Sequence, residues 1–180
     1  MDATTILTDD VVYFLAASID GYIADKTGDA SCFNSYFIPE LGFHDFITRI
    51  GTVIIGRRSW DRIEAAGKWP YGQIPGIVAT HRPFADIGAP VKAATGTAAD
   101  LMAAARLQGP GAYWVVGGAD IATQLLAAGA LTRIELFTIP ILLGEGVPAF
   151  RTKDPIALNL ISSGAYPNGV TRTTWRPAEK

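Results

Sequence analysis

Three short stretches end an apolar run in glycine, hydroxyl or guanidinium groups. They are Thr52-Val53-Ile54-Ile55-Gly56-Arg57-Arg58-Ser59-Trp60, Ile77-Val78-Ala79-Thr80-His81-Arg82-Pro83 and Trp114-Val115-Val116-Gly117-Gly118-Ala119-Asp120-Ile121. In each, the apolar run reads as a buried strand. In the first, Gly56 permits a tight exit and Ser59 stands where a helix starts. Free N–H groups and the helix dipole at such a start favour a negative ligand. Arg57 adds a planar fork suited to phosphate. The same residues also suit a plain surface helix cap with two solvated arginines.

In the third stretch, Gly117 and Gly118 carry no side chains, so a ligand can approach the backbone closely. A pyrophosphate fits there; so does a tight turn chosen for packing, with Asp120 as helix N-cap. The pair matches neither the G-x-G-x-x-G fingerprint nor a Walker loop. The middle stretch offers a hydroxyl (Thr80), an imidazole (His81) and a guanidinium (Arg82). That set suits the 2′-phosphate that separates NADP from NAD, or a polar turn before Pro83. Ligands of open α/β sheets bind beyond the carboxyl ends of strands, so all three could serve one dinucleotide.

The elements that position these residues follow from hydrophobic patterning. Strands are expected at Val11–Ala17, Thr52–Ile55, Ile74–Thr80, Val91–Ala93 and Tyr113–Val116. Helices are expected over Pro39–Ile50, Ser59–Ala65, Ala98–Gln108 and Asp120–Ala128, the last stopped by Gly129. Ile134–Leu143 reads as one long strand whose Pro140 must sit at an edge or bulge. Ala157–Ser162 and Thr171–Trp175 read as a hairpin through Asn168-Gly169. This order predicts an α/β fold: a three-layer α/β/α sandwich whose mixed, mostly parallel sheet ends in antiparallel strands. One domain over residues 1–180 is the simplest division.

Composition narrows the function. Of 180 residues, 49% are hydrophobic and 18% charged, which suits a globular chain. A net charge of −2 gives no general attraction for nucleic acid or an anionic membrane. One cysteine, Cys32, and two histidines, His44 and His81, argue against a metal site. No signal peptide or membrane span is read, so a cytoplasmic protein is the default expectation.

The ordered set SIDGYIA, TVIIGRRSW, IVATHRP, WVVGGADIATQLL and IPILLGEGVPAF resembles the dihydrofolate-reductase-like superfamily. It is most similar to the branch of the reductase domain of riboflavin biosynthesis. The resemblance spans roughly Val11 to Phe150. It implies NADPH as cofactor, a small-molecule substrate and a homodimer. Gly56, Arg57 and Ser59 would meet the adenosine side and pyrophosphate. Thr80, His81 and Arg82 would read the 2′-phosphate. Gly117, Gly118, Ala119, Asp120 and Ile121 would form the second phosphate-contacting turn. Ala16 would face the nicotinamide amide, and Ile23 would ride on a loop covering that ring.

For the substrate side the resemblance offers Glu40 as the pterin-holding acid of dihydrofolate reductases. It offers Asp20 and Glu145 from the riboflavin-type reductases, and Thr138 as a substrate-facing hydroxyl. Each has a plain alternative: an exposed helix-start glutamate, a turn aspartate, a loop charge, a strand threonine. Phe33, Tyr36, Trp69 and Tyr71 could line the pocket of a flat substrate. No basic cluster suits a folate glutamate tail, and a tryptophan expected near the folate loop is replaced by Cys32 and Phe33. The leading expectation is an NADPH-dependent reductase acting on a small heterocycle, such as 5-amino-6-(5-phosphoribosylamino)uracil. A noncatalytic NADP-binding or ligand-sensing protein, a phosphosugar-binding enzyme and a dihydrofolate reductase stand as alternatives.

Overall fold

A computed structural model describes residues 5–178. Eight strands form one sheet. In chain order they are β1 (Val11–Ser18), β3 (Ile50–Gly56), β4 (Gly76–Ala79), β5 (Val91–Ala94), β6 (Ala112–Gly117), β7 (Arg133–Ile139), β9 (Leu158–Ala165) and β10 (Thr171–Pro177). Two further short strands, β2 (Tyr22–Ala24) and β8 (Val147–Pro148), pair with each other alone. Spatially the large sheet runs β5-β4-β3-β6-β1-β7-β10-β9. The first six of these strands are mutually parallel, and β10 lies antiparallel between β7 and β9. Four α-helices accompany them: α1 (Phe43–Ile47), α2 (Arg57–Ala66), α3 (Ala98–Arg106) and α4 (Ala119–Ala127). The expected α/β sandwich with an antiparallel C-terminal end is the architecture observed.

Strand alternation builds the two cores. Tyr13, Leu15 and Ala17 of β1 face α3 and α4, where they meet Leu101, Met102 and Leu125. Val12 and Phe14 face the opposite layer, with Phe46 of α1 and Trp60 of α2. Each fully buried leucine or isoleucine in these cores contributes about 1.5–3 kcal/mol. Among the described residues no helix is long and apolar enough to cross a membrane.

Several expected boundaries move, each for a local reason. The helix expected over Pro39–Ile50 is broken at Gly42, whose φ of 77° cannot continue a right-handed helix. A 3₁₀ turn (Pro39–Leu41) precedes it and α1 follows. The strand expected to reach Leu143 stops at Ile139, because β7 is interior, between β1 and β10, and Pro140 has no N–H for the ladder. Helix α2 starts at Arg57, two residues before Ser59, with Gly56 as N-cap. Helix α4 starts at Ala119 with Gly118 as N-cap, so Asp120 lies in the first turn and is not the cap.

Candidate functional site

Strand register brings the three motifs together. Gly56 at the end of β3 is paired with Ala79 of β4, and Ile55 with Gly117 of β6. All three strands are parallel, so their carboxyl ends emerge at one edge of the sheet. The contact between β3 and β6 is tight. A Cβ on Gly56 would lie 3.1 Å from the Gly118 nitrogen and 3.1 Å from Ile121 Cγ1. The Gly117–Gly118 peptide is cis. A Cβ on Gly118, by contrast, would meet nothing within 4 Å. Ser59 Oγ stands 4.0 Å from where a Cβ on Gly117 would be. No side chain caps α2 or α4. Two helix starts without side-chain caps therefore lie at one sheet edge, beside the open backbone of Gly118, a setting that favours an anion.

The arginines divide their work differently from the expectation. Arg57 is engaged by protein groups: Nε donates to Asp61 Oδ1 at 2.5 Å and Nη1 to the Pro83 carbonyl at 2.8 Å. Its Nη2 lies 3.6 Å from Glu64. Arg57 thus ties α2 to the 80–83 turn and has little of its fork left for a ligand. Thr80 is buried, and its hydroxyl accepts the Arg82 N–H at 3.0 Å, which shapes the same turn. Arg82, His81 and Arg58 are exposed. Arg58, whose side chain is 82% exposed, lies 4.0 Å from Asp120 and so stands between the starts of α2 and α4. Sequence reasoning passed over Arg58; the doubled arginine after Gly56 was its signal. Asp120 also pairs with Arg151 at 3.3 Å.

Two adjoining cavities lie on the α1/α2 side of β1. The larger, about 650 Å³, is lined by Phe14, Ala16, Ile23, Phe33, Asn34 and Val116 together with the loop around Gly28. The smaller, about 360 Å³, shares Phe14, Leu15, Ala16 and Phe37 with it and adds Ile38, Leu41, Phe43, Trp114 and Phe137. Ala16, Ile23 and Phe33 are thus brought together. Trp69 and Tyr71 line neither cavity: Tyr71 stacks edge-on to Trp114 at 5.1 Å and Trp69 lies 6.3 Å from Trp60. Tyr36 packs with the cluster around Phe33 and also lines neither.

Thr138 needs correction. In the β1–β7 register Thr138 is paired with Ala17, and Phe137 with Ala16. Ala17 belongs to the core under α3 and α4, so the Thr138 side chain turns away from both cavities. Phe137 takes the place facing the cavity.

The acids are placed as follows. Asp20 accepts a hydrogen bond from Ser18 Oγ and from the backbone N–H groups of Leu143 (3.2 Å) and Gly144 (2.7 Å). The Ser18 hydroxyl, then those two amides, hold its carboxyl below the ordinary carboxylate range. An ionised, exposed Asp20 is an acceptor that fastens the 143–146 turn to the end of β1. It is not poised as an acid. Glu145 is exposed and pairs with Lys26 at 2.6 Å. Gly146 completes this brace, since any Cβ there would collide with the Ala24 carbonyl oxygen. Together these contacts hold β2, and with it Ile23, over the larger cavity. Glu40 is exposed on its 3₁₀ turn and lines neither cavity.

A family model for the RibD C-terminal domain matches residues 10–171. The chain belongs to this family. Among its relatives, the uncharacterized Bacillus subtilis protein YyaP is 23% identical over 92% of this chain and 93% of its own. A Shewanella sp. PV-4 structure, provisionally assigned to riboflavin biosynthesis, is 26% identical. It superposes with a TM-score of 0.82 over 94% of this chain and 99% of its own. Dihydrofolate reductase from Enterococcus faecalis, complexed with NADP(H), shares the fold. Its TM-score is 0.69 and its identity 15%, over 96% of this chain and 100% of its own. The RibD C-terminal family and this neighbour give a reductase-like fold.

Proposed function

We propose that the protein is an NADPH-dependent reductase of a small cyclic compound, the reading carried by the adjacent starts of α2 and α4 at the sheet edge where Gly118 leaves the backbone open. That edge offers the N-termini of α2 and α4, neither capped by a side chain, to a pyrophosphate. Arg82 and His81 are the exposed side chains that would hold the 2′-phosphate, and Arg58, between the two helix starts, would lie beside the pyrophosphate. The larger cavity, beginning at Ala16 and roofed by Ile23, would take the nicotinamide. Bound NADPH would supply the hydride; the chain supplies alignment, with reacting atoms held about 3–3.5 Å apart, and exclusion of water.

The proton would come from solvent. Thr27 Oγ1 donates to Asp25 at 2.7 Å and Ser31 Oγ donates to Asp29 at 2.7 Å, so the hydroxyls beside the cavity are already committed. Asp29 is held ionised, chiefly by the Ser31 hydroxyl. The same placement of acids favours a second reading, a noncatalytic NADP-binding protein. A dimer joined through the exposed strand β9, with Leu158 and Leu160 on its surface, is part of the proposal.

Fluorescence titration with NADPH and NADH tests the cofactor assignment. Tight NADPH binding with weaker NADH binding is expected; failure of both to bind would overturn it. Oxidation of bound NADPH by an added substrate then separates a reductase from a binding protein.

A further inference from the structure

The smaller cavity specifies what kind of molecule the reductase would take. Five of its lining residues are aromatic: Phe14, Phe37, Phe43, Trp114 and Phe137. The other four are aliphatic, so none of the nine titrates or carries charge. The one polar side-chain atom among them, Trp114 Nε1, already donates to the Phe14 carbonyl at 3.2 Å. At about 360 Å³ the cavity falls within the usual range for small-molecule sites. A phosphate or carboxylate placed there would be desolvated without a partner.

The acids add a second constraint: Asp29, which lines the larger cavity, is held ionised, and no acid lines the smaller one. An imine or pterin needs a proton delivered as hydride arrives. A molecule that carries the incoming electron pair itself does not. Quinones meet both constraints, being flat, uncharged and able to spread the added charge over two oxygens. We infer that the smaller cavity binds an uncharged one- or two-ring quinone as the hydride acceptor, on the reading that the larger cavity holds NADPH. In the reaction the nicotinamide C4–H bond breaks and its hydrogen, with both electrons, bonds to one quinone oxygen. The pair displaced through the ring leaves the second oxygen as phenolate, which takes a proton from water. NADPH, quinone and one proton thus give NADP⁺ and hydroquinone. Both Phe14 and Ala16 line the two cavities at once, which sets the acceptor directly beside the nicotinamide space.

The test uses menadione and its charged counterpart 1,4-naphthoquinone-2-sulfonate. Equilibrium dialysis without cofactor reads binding; NADPH oxidation, corrected for the reaction without enzyme, reads turnover. The expected kcat/KM for menadione exceeds that for the sulfonate by at least about a hundredfold, since an unpaired charge costs more to bury than an unpaired polar group. Phe43, 46% exposed at the rim, is the site of a control. Phe43→Lys should reverse or erase the preference while leaving NADPH affinity unchanged. Equal rates on the two quinones, or menadione that binds but is not reduced although NADPH binds, would overturn the inference and leave the cofactor assignment standing. Menadione retained with the expected preference, but no NADPH binding, would instead sink the reductase reading and not the cavity's selectivity.

Discussion

The replacement Gly118→Ala separates a ligand-binding role from a structural one. The protein itself leaves room for the new methyl, with nothing within 4 Å of a Cβ at this position. Gly118 has φ −79° and ψ −172°, extended backbone open to any residue. Folding stability should therefore change by less than about 1 kcal/mol, on the stabilising side if at all, since alanine restricts the unfolded chain. Binding should behave otherwise. If a pyrophosphate rests against this backbone, the methyl occupies its place. Overpacking of a fitted contact costs about 1–3 kcal/mol, which corresponds to roughly a 5- to 150-fold loss of NADPH affinity. Gly56→Ala is the contrast, because its methyl would press on Gly118 N and Ile121 Cγ1 within the protein. It should lower both stability and affinity. Thermal unfolding and NADPH fluorescence titration on both variants give the comparison. Unchanged affinity in Gly118→Ala would refute the reasoning, as would a collapse of its thermal stability.

Three other perturbations probe separate parts of the account. Arg82→Ala should weaken NADPH binding roughly tenfold and leave NADH binding nearly unchanged, because only the former carries the 2′-phosphate; equal effects on both would count against the assignment. Glu135→Ala should cost about 3–5 kcal/mol in denaturant unfolding, since it removes the buried carboxylate to which Arg133, Arg172 and Thr174 all donate; a loss below about 1 kcal/mol would contradict that network. The Asp20 carboxyl is lowered in the folded protein. Its contribution is thus complete above the unfolded value of about 3.9 and disappears as pH falls through the lower folded one. Asp20→Asn should flatten that acid limb of the stability profile, and an unchanged limb would show that the Leu143–Gly144 tie contributes nothing.

Much of the fold was legible because parallel strands buried on both faces announce themselves as unbroken apolar runs. The strand-end positions of Gly56, Thr80 and Gly117 followed from those runs. Other features were not legible, for physical reasons. Whether Phe137 or Thr138 faces the cavity depends on the phase of β7, which is fixed by pairing with β1 and not by the strand's own composition. Arg57 is expected from its strand-end place to meet phosphate, yet its spacing to Asp61 is the i,i+4 of a helical ion pair, a signal in plain view. The alternation Arg133-x-Glu135 inside an apolar strand likewise pointed to a buried ionic pair. The role of Asp20 could not be read locally, because its partners at Leu143 and Gly144 lie more than a hundred residues away.

A crystal structure of the protein grown with NADPH tests the central claim most directly. The account predicts density for the pyrophosphate between the first turns of α2 and α4, the 2′-phosphate near Arg82, and the nicotinamide beside Ala16 beneath Ile23. Cofactor density on the opposite side of the sheet, in the groove between α4 and residues 151–156, would contradict it.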